Sequence, residues 1–230
     1  MVGRRKALTF LISTAFLYGG VGALSVGEEL TVLEMGVGRR LLFLTDIHGV
    51  FKPPAVEYDV VLIGGDTYDE WTPDLGPVVE SLSKLRGPKI AVLGNHEHWT
   101  KRISIRVGIK ALEEAGVHVL VDDWTSAGGL KVFGLAWRED PRTYPPVRDA
   151  DIVLAHSPDA FHNAVGGLYL TGHTHGGQFC LPKDIAVFTN SIYGYTWGLY
   201  RRGDAVMYTS RGVGEMWPRV FCSREYLLVT

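Results

Sequence analysis

Five stretches decide the fold: LLFLTDIHG (41–49), DVVLIGGDTYD (59–69), KIAVLGNHEHW (89–99), DIVLAHSPD (151–159) and GLYLTGHTHGGQ (167–178). Each carries a short run rich in Val, Ile, Leu or Tyr that breaks abruptly into a polar cluster. A half-exposed strand would alternate apolar and polar residues, so unbroken runs of this length suit strands buried on both faces. Helix patterns lie between some of them. Val78, Leu82 and Leu85 recur at helical spacing, with Pro77 at the start and Gly87 past the end. Ile105, Ile109 and Leu112 repeat the spacing, and Gly116 follows. Strands alternating with helices indicate an α/β fold with parallel units. After about residue 117 the strand signals crowd together, which predicts a sheet of more antiparallel character.

Working outward, the polar residues come directly after each apolar run. In open α/β sheets ligands bind beyond the carboxyl ends of the strands. Asp46, His48, Asp66, Asn95, His156, His173 and His175 should therefore converge on one rim. Four imidazoles, two carboxylates and one amide oxygen are too few for two separate ions, but they suffice if one carboxylate bridges. A mixed nitrogen and oxygen set of this kind suits Mn, Fe, Co or Zn, with Mn, Fe and Zn favoured, rather than Ca or Mg. Two divalent ions outweigh two Asp and one hydroxide by a single positive charge, which attracts a phosphate. Two ions about 3.5–4 Å apart can activate a shared water and stabilise both oxygens of an in-line displacement. This chemistry points to hydrolysis of a phosphorus ester.

The ordered blocks DIH, GGD, GNHE, AHSPD and GHTH resemble those of the calcineurin-like metallophosphoesterases and extend from Asp46 to His175. The longer run GHTHGGQFCLP, with a hydrophobic N-terminus, is similar to the small membrane-associated bacterial branch. That branch includes UDP-2,3-diacylglucosamine pyrophosphatase-like and exported phosphoesterase-like enzymes. The resemblance implies a four-layer α/β/β/α sandwich of two mixed sheets flanked by helices. It implies one ion on Asp46, His48, Asp66 and His175, and a second on Asp66, Asn95, His156 and His173, with Asp66 bridging. It implies catalysis by a metal-bridging hydroxide, with His96 contacting the phosphate and protonating the leaving oxygen. The implied activity is hydrolysis of a phosphodiester, phosphomonoester or pyrophosphate on a small molecule or lipid. Two alternatives compete: an inactive scaffold of the same fold, which would be expected to lose ligands, and a binding module whose metals are structural.

Taken singly, each residue has a plainer reading. Asp66 after Gly64–Gly65 can cap a turn, Asn95 after Gly94 can occupy a left-handed turn, His48 can sit on a surface loop and His156 can be a core histidine. The ensemble is what carries the metal reading. Asn95, His96 and Gln178 are candidate substrate contacts. His98, His118 and His162 read as neighbours or as structural residues. Gly172, Gly176 and Gly177 allow close backbone approach beside the histidines. Trp71, Trp99, Trp137, Tyr193, Tyr195 and Trp197 can form an apolar lip. The arginines of residues 138–148 can grip phosphate or belong to a solvated connector. Cys180 and Cys222 can pair if the domain is exported.

Length and charge bound the rest. The 230 residues suit one domain, here 28–230, behind an N-terminal segment, 1–27. A net charge of −2 offers no general basic field, so no nucleic-acid partner is expected. Residues 7–27 carry no charge and follow Arg4, Arg5 and Lys6. As a helix this run would span about 31 Å, enough to cross a bilayer. It reads as a membrane anchor, as a signal cleaved after Ala23, or as a buried helix of the fold. The basic flank favours an extracytoplasmic catalytic domain, tethered or secreted.

Overall fold

The computed structural model describes residues 27–181, 185–214 and 219–230. The strands in chain order are β1 (Glu28–Leu33), β2 (Leu41–Leu44), β3 (Val60–Ile63), β4 (Lys89–Ala91), β5 (Val117–Val119), β6 (Asp123–Ala127) and β7 (Leu130–Gly134). They continue as β8 (Ile152–Leu154), β9 (Leu168–Thr171), β10 (Cys180–Leu181), β11 (Ile185–Ala186), β12 (Gly198–Arg202), β13 (Ala205–Thr209) and β14 (Arg224–Val229). Two six-stranded sheets result, ordered β1-β14-β2-β3-β4-β5 and β12-β13-β9-β8-β7-β6, with β10 and β11 forming a separate hairpin. Both sheets are mixed. In the first, β2, β3, β4 and β5 are parallel and β14 runs against β2.

Strand β2 shows why its run is unbroken. Leu41 and Phe43 pack into the core between the sheets, against residues such as Leu154 and Leu170. Leu42 and Leu44 face the opposite way, onto Val78, Leu82 and Leu112 of the helical layer. Each such side chain contributes about 1.5–3 kcal/mol on burial. That helical layer holds α1 (Gly76–Ser83) and α3 (Ile105–Glu114), with the short α2 (Asn95–Trp99) between them. Pro77 sits in the first turn of α1, and Ser104 caps α3 through Val107 N–H.

The second sheet departs from expectation. Its four central strands, β7, β8, β9 and β13, are parallel, and antiparallel pairing is confined to the edge hairpins β6–β7 and β12–β13. The crossovers carry only 3₁₀ turns, Pro141–Thr143 and Pro158–Asn163, so no 3.6-residue periodicity announced them. Tyr144, Val147 and Phe161 from these segments cover Val153, Tyr169 and Met207, making the fourth layer without an α-helix among the described residues.

The anchor, signal and buried-helix readings of residues 7–27 lie, up to residue 26, outside the described residues. Among the described residues no helix is long and apolar enough to cross a membrane. Cys180 and Cys222 are joined in a disulfide, with Cα atoms 5.2 Å apart.

Candidate metal centre

The seven sequence-predicted ligands meet at one edge, where both sheets present strand ends. Asp46 follows β2, Asp66 follows β3 and Asn95 opens α2 after β4, while His156 follows β8 and His173 and His175 follow β9. Three groups of close ligand atoms form there: Asp46, His48 and His175; His48, Asp66 and His96; and Asp66, His156 and His173.

Asp66 stands between two halves. In one, His175 Nε2 lies 3.4 Å from Asp46 Oδ1 and 3.2 Å from His48 Nε2. In the other, His156 Nε2 lies 2.9 Å from Asn95 Oδ1, 3.1 Å from His173 Nδ1 and 3.2 Å from Asp66 Oδ2. The same Asp66 oxygen is 3.9 Å from His48 Nε2, so it faces both halves.

The proton arrangement tests whether cations fit. His156 Nδ1 donates to the Gly64 carbonyl at 2.8 Å, and His48 faces Asp69 through Nδ1 at 3.2 Å. In the neutral rings each Nε2 would then be a lone pair aimed at other acceptors, the usual orientation of a ligating imidazole. Acceptors facing acceptors repel unless a cation lies among them. A proton on His156 relieves part of this: burial opposes it, but the Asp66 carboxylate prevails and raises the ring to about 9. Burial and then the His156 charge push His173 down to about 3. Burial and the His48 ring keep His175 well below its ordinary value. Both rings are thus neutral, the form in which an imidazole can bind metal. Burial raises Asp46, whereas at Asp66 burial is overcome by His156 and His48, which hold that carboxyl well below the usual range. The donor set fits two divalent ions. His175 Nδ1 is buried with no hydrogen-bond partner among the described residues.

His96 overlooks the centre. Its Nε2 is 4.0 Å from Asp66 Oδ2, and its Nδ1 meets Glu70 Oε2 at 2.6 Å. Its backbone N–H donates to Asp66 Oδ1 at 2.9 Å, orienting the carboxylate. Gln178 borders the same cleft, with Asn95, His96, Trp99 and Asn190.

Several supporting residues escaped sequence reasoning. Glu97 is fully buried, and burial raises its carboxyl; it accepts from the N–H groups of Asp66 (2.9 Å), Thr67 (2.5 Å) and Gly94 (2.8 Å). It thereby pins the GGD and GNHE turns together, and its place between His96 and His98 was a signal for it. Asn190 Nδ2 lies 3.1 Å from His173 Nε2, and Asp159 holds that loop through Ile192 N–H at 3.1 Å. Arg211, buried under the Gly176 turn, pairs with Glu29 and Glu225.

The proposed lip is only partly assembled. Trp99 and Trp137 flank His96 and His173, at ring separations of 5.6 and 5.1 Å, and both indoles donate to Glu139. Trp71 is exposed in a neighbouring groove beside His48, while Tyr193 stacks on His162 and Tyr195 packs on Phe161. Trp197 lies under the Arg211 guanidinium. Arg138 pairs with Asp122 and Arg142 with Asp140, so these two arginines are engaged in the connector. His98 and His118 are exposed, and with His162 they stand outside the ligand groups.

Comparison with known proteins agrees with this geometry. Phosphodiesterase YaeI of Escherichia coli is 27% identical, over 100% of this chain and 99% of its own length. The uncharacterized metallophosphoesterase YkuE of Bacillus subtilis is 30% identical over 68% of this chain and 61% of its own. An uncharacterized metallophosphoesterase of Helicobacter pylori is 25% identical over 92% of this chain and 67% of its own. The family model described as calcineurin-like phosphoesterase matches residues 39–177. That span runs through every strand end bearing the clustered side chains, and the chain belongs to the calcineurin-like phosphoesterase family.

Proposed function

We propose that this chain hydrolyses a phosphodiester with the help of two divalent ions, Mn, Fe or Zn. The observation that carries the reading is the single Asp66 oxygen facing two half-sites of neutral or lone-pair-bearing ligands, with His96 beside it. Asp46, His48 and His175 would hold one ion and Asn95, His156 and His173 the other, with Asp66 shared. When bound, such ions would activate a water and stabilise charge on the phosphoryl oxygens. Asn95 and Gln178 border the cleft where the phosphoryl group would sit. His96, steadied through Nδ1 by Glu70, donates a proton from Nε2 to the departing oxygen. A diester is preferred over a monoester because a full-length relative bears the name phosphodiesterase.

The Cys180–Cys222 disulfide and the uncharged run at residues 7–27 support an extracytoplasmic domain, tethered or secreted, as in the branch containing UDP-2,3-diacylglucosamine pyrophosphatases. The deciding experiment compares Asp66→Ala and His96→Ala with the parent on bis(p-nitrophenyl) phosphate, with metal content measured alongside. Asp66→Ala should lose metal and activity together. His96→Ala should keep its metal and slow by about 10²–10⁴. Full activity in Asp66→Ala would refute the reading. A parallel panel of UDP-diacylglucosamine, phospholipids and phosphopeptides ranks the substrates.

A further inference from the structure

Among the described residues, the hairpin that follows the GHTHGG turn carries exposed apolar side chains on both strands. Leu181 and Ile185 are opposed across β10 and β11. Val187 continues that strand edge by donating its N–H to Phe179 O at 2.9 Å. Phe221 belongs to the same rim, since the preceding Val220 bridges to Phe179 and the following Cys222 is bonded to Cys180. Leu181, Ile185, Val187, Phe188 and Phe221 are each more than half exposed. Large apolar side chains grouped in this way mark an interaction surface.

The point where the described chain begins says what covers it. The described chain begins at Gly27, whose carbonyl accepts the Arg224 N–H at 2.8 Å. Arg224 is the second residue after the disulfide-bonded Cys222 and the third after Phe221. The described chain therefore begins near the apolar rim, and the uncharged residues 7–26 precede that point in the sequence. The rim in turn borders the metal centre: Phe188 and Asn190 line the same cleft as His173 and His96.

We propose that this rim rests on a phospholipid bilayer, its apolar side chains entering the interface, so that the cleft opens along the membrane surface. Side chains of this size gain by leaving water for the acyl boundary, and binding scales with the area they bury. A second anchoring point beside the chain's entry would fix the orientation of the domain as well as its location. The docking itself stands without the hydrolytic reading; only the inference that the site then meets lipid-borne phosphodiesters rests on it.

Photocrosslinking tests the docking without using activity. The whole chain, carrying p-benzoylphenylalanine at position 181, 187 or 221, is reconstituted into vesicles of phosphatidylcholine and phosphatidylglycerol and irradiated. Position 107, on the exposed surface of α3, is the control. Phospholipid adducts should form at the three rim positions about tenfold more than at the control. With the label at 221, the double variant Leu181→Glu, Val187→Glu should lose most of the adduct. Its hydrolysis of soluble bis(p-nitrophenyl) phosphate should stay within about twofold of the parent, which separates failed docking from failed catalysis. Crosslinks to residues 7–26, crosslinks to a second copy, rim labelling no greater than at position 107, or unchanged labelling in the double variant would each overturn the proposal.

Discussion

Asp46 (φ 52°), His48 (φ 51°), Asp66 (φ 52°), His173 (φ 73°) and His175 (φ 49°) all occupy left-handed backbone, as does Gln178 (φ 62°). For residues other than glycine this conformation costs of order 1–3 kcal/mol each, and it survives only where the surroundings over-determine it. Glu97 is one such determinant and the Gly172 contact is another: a Cβ there would fall 2.2 Å from Asp46 Oδ2. The Glu70 carboxylate meets His96 Nδ1 at 2.6 Å, and under the proposed function it would act through that ring rather than on substrate. Glu70→Gln should slow diester hydrolysis by about 10- to 100-fold with metal content unchanged, measured by steady-state kinetics beside elemental analysis. At this scale the convergence of the seven candidate ligands was legible because each sits at the same place in its segment. Glu70, Asp69 and Asn190 were not, since an acidic or amide side chain in a loop has many uses and only the fold shows which histidine it meets.

Among the elements, the hydrophobic runs announced β2, β3, β4, β8 and β9, because burial on both faces leaves no polar alternation to blur the signal. Helix α3 was equally plain from Ile105, Ile109 and Leu112. The parallel centre of the second sheet was not: its crossovers are irregular, and closely spaced strands with no helix between them look like a meander. The disulfide was readable only as an option, since two cysteines 42 residues apart do not state their distance in space. Closing a loop of that length is worth about 4 kcal/mol by chain entropy. Cys180→Ser with Cys222→Ser should lower unfolding stability by up to that amount, read from urea denaturation under oxidising conditions. Dithiothreitol should bring the parent to the same midpoint.

For the molecule as a whole, the candidate metal-binding edge is shared between two sheets. Asp46, Asp66 and Asn95 come from the first, and His156, His173 and His175 from the second. Stripping ions with EDTA should therefore lower the melting temperature of the entire domain. Binding at about a hundred times Kd contributes about 2.7 kcal/mol per site, and the shift for a domain this size is roughly 5–11 °C for one site and about twice that for two. Calorimetry with Mn²⁺ added back should restore it. Cations held at that edge would clasp the two halves of the sandwich together. Starved of transition metals, the chain would loosen along its seam, and its survival against proteases would become a gauge of local ion supply.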